Sequence, residues 1–170
     1  NGGDTYGYTG TGKLTVGTWT HIVGVFDGTQ TGNANRLKVY VNGVEEPLTF
    51  GGTIPATTTS NAINMKLGGS TGGYFNGVVD EPRIYNRALP AAEIQSLYQA
   101  GQSDEVNTGA SQAQGGSRLD SGLSGYWKMD DGSGTSATDA STNGNTGTLT
   151  NGPTWGTGQI VGAVTFDGIN

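Results

Sequence analysis

The chain has 170 residues, with 32 glycines, 5 prolines, no cysteine, and 14 acidic against 8 basic side chains for a net charge of -6. That charge opposes a phosphate backbone or an anionic membrane surface as partner, the missing cysteines exclude disulfide staples, and no apolar run is long enough to span a bilayer. Hydrophobic residues make up only 32% of the chain, but three Trp, seven Tyr and four Phe fall in regular clusters. The composition therefore predicts a folded, thin-cored protein of short strands and many turns, binding no nucleic acid and inserting into no membrane.

In chain order, Trp19 to Phe26 carries apolar residues on both alternating sets and predicts a strand covered on both faces. Arg36 to Val41 alternates with Leu37, Val39 and Val41 on one face, and Asn42-Gly43 after it is a strong hairpin signal with Val44 to Leu48 as the return strand. Ile63 to Leu67 and Phe75 to Tyr85 predict two further strands around the glycine-rich loop 68–73. One helix is expected at about 90–100, from Pro90, the Ile94, Leu97 and Tyr98 stripe and Gly101 as a stop. Residues 102–120 have almost no apolar side chain and read as a flexible, protease-sensitive linker. Leu123 to Met129 opens a new strand, 130–147 is a polar loop, and Ala163 to Phe166 is a last strand.

Few residues carry chemistry. Glycoside hydrolysis needs two carboxylates facing one cleft, but Asp80 and Glu81 are neighbours on an expected strand that points them to opposite faces, and Glu45-Glu46 and Asp130-Asp131 are adjacent too, with no spacing that puts acids on one face. His21 is the sole histidine, too few for a zinc pair or a nucleophile triad, and reads as a packed or edge-strand residue. Gly10-Thr11-Gly12-Lys13 lacks the spacing and helix of a phosphate loop. In the stretch Asp139 to Gly147, Asp139, Ser141 and Asn143 put oxygens at alternate positions with Gly144 sixth. This spacing suits either a calcium loop without its terminal Glu, since Thr150 stands there, or a series of Asx and Ser turns. For sugars, whose rings stack on flat aromatic faces, the candidates are Tyr74 beside Gly72-Gly73, then Tyr6 and Tyr8, while Trp19, Trp127 and Trp155 read as core.

Four ordered motifs, Gly17 to Val23, Leu37 to Gly43, Leu67-Gly68-Gly69 and Asp80 to Leu89, resemble the C-terminal half of the laminin G-like, concanavalin A-like lectin/glucanase family. Gly125-Tyr126-Trp127, Asp130 to Gly134, Ala137-Thr138-Asp139, Gly144 to Leu149 and Phe166-Asp167-Gly168 resemble the N-terminal part of the same family. The resemblance implies an all-β antiparallel sandwich of jelly-roll type. The order is reversed and the middle strands are missing, so 1–101 reads as the end of one domain and 121–170 as the start of a second, or as a permuted completion of the first. A window across tandem domains would leave unpaired edges prone to self-association. The resemblance also implies structural calcium between the first loop and the final strand, with Asp80 a candidate ligand beside Asp139.

These readings lead to a non-catalytic, extracellular or cell-surface module that binds carbohydrate or another surface ligand within a larger protein. A structural spacer or adhesin repeat without a small ligand, and an accessory module of a glycoside hydrolase, are the alternatives.

Overall fold

The computed structural model describes residues 5–58, 64–70, 73–102 and 119–169. The chain divides into two compact units, one from 1–61 with 87–107 and the other from 62–86 with 108–170. Every strand pairing among the described residues is antiparallel.

The first unit contains β1 (Tyr6–Tyr8), β2 (Ile22–Phe26), a one-turn helix α1 (Asn33–Arg36), β3 (Leu37–Val41), β4 (Val44–Glu46), β5 (Thr49–Gly51) and α2 (Ala91–Gln102). Strands β2, β3 and β4 form a meander in which Ile22 faces Val41 and Val41 faces Val44. The β3–β4 turn has Asn42 at φ 50° and Gly43 at φ 78°, as a two-residue turn with both central residues left-handed requires. Strands β1 and β5 pair as a separate ribbon, with Gly7 opposite Phe50.

Val25, Tyr40, Ile54, Leu89, Ile94 and Leu97 are the buried hydrophobics of this unit among the described residues. Helix α2 starts where the Pro90 carbonyl accepts the Glu93 and Ile94 N–H groups, so Pro90 precedes the first helical residue, and the helix runs through Gly101 to Gln102. Arg87 anchors its first turn on Glu93 at 2.6 Å.

The second unit contains β6 (Gly69–Ser70), β7 (Gly73–Tyr74), β8 (Asn76–Val79), β9 (Arg83–Tyr85), β10 (Leu123–Tyr126), β11 (Ser136–Ala137), β12 (Gly147–Thr148), β13 (Thr154–Thr157) and β14 (Gly162–Asp167). Its largest sheet has the order β13-β14-β8, with Val164 opposite both Trp155 and Val79. Strand β10 pairs with β9, and Trp127 bridges to Asp139. Trp127, Met129, Ala137 and Val164 make the core, with Leu149, Trp155 and Phe166 packed against it.

Three expectations need correction. The strand foreseen over Phe75 to Tyr85 is two strands, because Glu81 takes φ 56° and Pro82 follows, which no continuous ladder accommodates. Residues 64–67 form no strand; Ile63 lies outside the described residues. Trp19, expected in the core, is 41% exposed. Of the foreseen linker, 103–118 lies outside the described residues.

Candidate functional site

Tyr74 ends the β6–β7 pair, with Gly69 directly opposite it. A Cβ on Gly69 would stand 2.9 Å from the Tyr74 ring, so only glycine lets that ring lie across β6. Gly68, at φ 81°, does the same for Phe166, whose ring would meet a Cβ there at 2.3 Å. Beside them an open depression of about 350 Å³ is lined by Gly68, Gly69, Gly73, Phe75 and Val79. Phe75 packs edge-on against Phe166, with centroids 6.3 Å apart, yet both Tyr74 and Phe75 keep about half their surface in solvent, at 52% and 47%. The result is a glycine floor lined by the Phe75 ring, with the Tyr74 ring against Gly69, and among the described residues no ionisable side chain in the lining.

Asp80 follows directly on Val79. Its Oδ2 accepts the Ile160 N–H at 2.9 Å, while its Oδ1 is buried with no hydrogen-bond partner among the described residues. Desolvation, with the charges of Glu81 and Asp130 adding, pushes its carboxyl up to about 6 against the pull of the Ile160 and Gln159 N–H groups. Asp130 Oδ1 accepts the Gly162 N–H at 2.7 Å, so the β13–β14 hairpin tip is held by both aspartates. Three non-glycine residues with left-handed φ gather here: Glu81 at 56°, Met129 at 60° and Val161 at 56°. For a β-branched residue such as Val161 this is costly backbone, of the kind that concentrates at functional positions.

Asp139 is employed differently. Its carboxylate accepts the N–H groups of Tyr126 at 3.0 Å, Ser141 at 2.8 Å and Asn145 at 2.8 Å. Desolvation would raise its carboxyl, but these bonds and that of the Ser141 side chain bring it down to about 2. Ser141 is buried, and Asn143 donates its amide to the Leu123 carbonyl at 2.9 Å. The three residues thus build the loop as Asx and Ser turns, with Asp139 its hub. The structure sets Asp139 in this turn and Asp80 beside Asp130. Among the described residues no three acidic, His or Cys side chains are grouped to hold a metal ion. The orphaned Asp80 oxygen and the Asp130 carboxylate nevertheless fit a hard cation that completes its shell with backbone carbonyls and water.

The adjacent acid pairs diverge. Glu81 accepts the Tyr126 hydroxyl and an Arg83 ion pair at 2.7 Å, away from the Asp80 contacts. Glu45 pairs with Lys38 and Tyr40, and Glu46 with Lys13. Asp131 caps Thr138. The His21 ring stacks 5.9 Å from Tyr98. Tyr6 and Tyr8 are the outward residues of β1, 53% and 54% exposed. Sequence reasoning missed Asp130 as the neighbour of Asp80; the Asp130-Asp131-Gly132 run was visible, but only the hairpin 158–162 brings the two together.

Residues 1–95, more than half of the chain, match the family model for laminin G-like domains, described as the concanavalin A-like lectin/glucanases superfamily. The chain belongs to that superfamily. No curated protein and no solved structure matches it. As a laminin G-like protein it has the all-β antiparallel jelly-roll sandwich class and the lectin-like module type of its family. Laminin G-like domains are generally non-catalytic and typically extracellular, although the superfamily also includes glycosidases. No helix among the described residues is long and apolar enough to cross a membrane.

Proposed function

We propose that the chain is a non-catalytic, extracellular carbohydrate-binding module, with the depression beside Tyr74 as its ligand site. One observation carries this reading: a glycine floor bordered by the half-exposed ring of Phe75, with the half-exposed ring of Tyr74 lying against Gly69 of that floor. Aromatic faces stack on the apolar side of a sugar ring, and a floor without side chains lets the ring approach the backbone closely. The volume, near the small end of ligand pockets, suits one or two sugar units. Binding to a glycan array, lost in Tyr74→Ala with the fold intact, tests the proposal; unchanged binding in that variant would refute it.

Calcium is proposed as a structural ion held by Asp80 and Asp130. When bound, it neutralises the two acids that share the hairpin tip. Asp139, whose carboxylate accepts three backbone N–H groups, is assigned to its turn.

The two family-like pieces are proposed to be halves of one permuted arrangement. Strands β8 and β9 of the first piece are hydrogen-bonded to β14 and β10 of the second, which supports that reading. A structural, self-associating role is favoured by a different feature: Ile22 and Val44, on one face of the β2-β3-β4 sheet, are 55% and 62% exposed. Sedimentation that shifts with concentration, and ceases to shift in Ile22→Ser, would support self-association.

A further inference from the structure

Tyr6 and Tyr8 form a second aromatic surface, in the other unit from Tyr74. They alternate with Gly7 along β1, so both rings leave the same face of the β1–β5 ribbon. The opposite face is closed: a Cβ on Gly7 would stand 3.1 to 3.2 Å from Phe50, Leu37 and Leu48. Neither tyrosine can turn inward without opening that packing. On the outer face, a Cβ on Gly51 would stand 2.4 Å from the Tyr6 ring. Gly51, opposite Tyr6 in the ladder, is thus what lets the ring lie down over β5. The two ring centroids are 6.1 Å apart with a 35° angle between planes.

We propose that this face is a second subsite that takes two consecutive rings of a linear, uncharged glycan. The reading rests on the proposed function only for the ligand class, and its site is separate. Two side-by-side rings at strand spacing meet successive units of an extended polymer, as stacked aromatics meet successive bases of a single strand. The angle between the planes suits a chain that twists from one sugar to the next. Both tyrosines are about half exposed, at 53% and 54%, which leaves ring surface for the sugars. The net charge of -6 opposes sulfated or uronic-acid polymers, so neutral chains are the ones favoured. Gly51 is a positioning residue: it touches no ligand but sets the plane of Tyr6.

The test is calorimetric titration of the full chain with neutral linear oligosaccharides of glucose, mannose, galactose and xylose, one to four units long. It is run in the Tyr74→Ala background so that failure of the first site does not mask the second. The expected result is binding to at least one series, strengthening about tenfold from one unit to two as the second ring is engaged. Tyr6→Ala and Tyr8→Ala each remove that gain, Tyr6→Phe and Tyr8→Phe keep it, and Gly51→Ala weakens binding although both aromatics remain. No binding to any series, affinity independent of length, indifference to Tyr6→Ala and Tyr8→Ala with an unchanged circular dichroism spectrum, or preference for a sulfated oligosaccharide over its neutral parent would each overturn the proposal.

Discussion

Asp80 accepts the backbone N–H of Ile160 at 2.9 Å, across 80 positions of sequence. This bond fastens the β13–β14 hairpin tip to the end of β8, and it does so with a carboxylate whose other oxygen is buried and unsatisfied among the described residues. Long-range order and local destabilisation therefore meet at one side chain.

The raised Asp80 carboxyl fixes a pH dependence. Its folded value of about 6 lies above the ordinary 3.8, so the folded state holds the proton more tightly than the unfolded chain does. Its ionisation penalty is absent below 3.8, grows as pH rises through that window, and is complete above about 6. Thermal melts without divalent ions should show Asp80→Asn more stable than the parent above pH about 6, and no such advantage below 3.8. Added calcium should raise the parent's melting temperature above that window and leave Asp80→Asn and Asp130→Asn unmoved. A parent that calcium does not stabilise sinks the ion assignment.

Asp139 has the opposite sign. Its folded value of about 2 lies below the ordinary 3.8, so its contribution to stability is present above 3.8 and lost as pH falls toward 2. Asp139→Ala frees three N–H groups at once, and denaturant unfolding at neutral pH should show a loss of about 1–3 kcal/mol. Calcium should remain stabilising in that variant, which separates the turn hub from the ion site.

Tyr126 donates its hydroxyl to Glu81, while the Arg83 guanidinium lies 4.2 Å above its ring and pairs with the same carboxylate. Burial, with the Glu81 bond adding, pushes the phenol well above the usual tyrosine range. Tyr126→Phe should lower stability by about 1–2 kcal/mol. Ultraviolet titration should lose one tyrosine that ionises only on unfolding; an unchanged titration curve would contradict the contact.

Much of this was legible from short-range signals. Asn42-Gly43 specified a hairpin because that turn needs two left-handed residues. The Ile94 and Leu97 stripe specified the buried side of α2. Strand β13 was missed because Thr-Trp-Gly-Thr has one large apolar residue and gains its place only by pairing with β14. The pair of short strands β11 and β12 has no period to read. At the candidate site, Tyr74 was visible from its glycine-rich setting. Phe75 and the floor under Tyr74 were not, because they depend on which glycine falls opposite which ring. Asp139 carried a spacing shared by calcium loops and Asx turns, and the N–H groups that its carboxylate accepts, from Tyr126, Ser141 and Asn145, could not be named from that spacing.

Gly69→Ala tests the floor without touching an aromatic. The new methyl group would meet the Tyr74 ring at 2.9 Å, and the free end of that side chain can swing away while the backbone stays. Glycan affinity should fall about tenfold, as for loss of one stacking contact, with little change in melting temperature. Equal affinity in the two proteins would show that the ring plane is irrelevant.

The most direct measurement is a nitrogen–proton correlation spectrum of the chain titrated with the best-binding neutral oligosaccharide from the array. Saturable shifts are expected in the amides of Gly68, Gly69, Gly73, Tyr74 and Phe75, absent in Tyr74→Ala. Saturable binding that leaves those five amides unmoved would contradict the assignment.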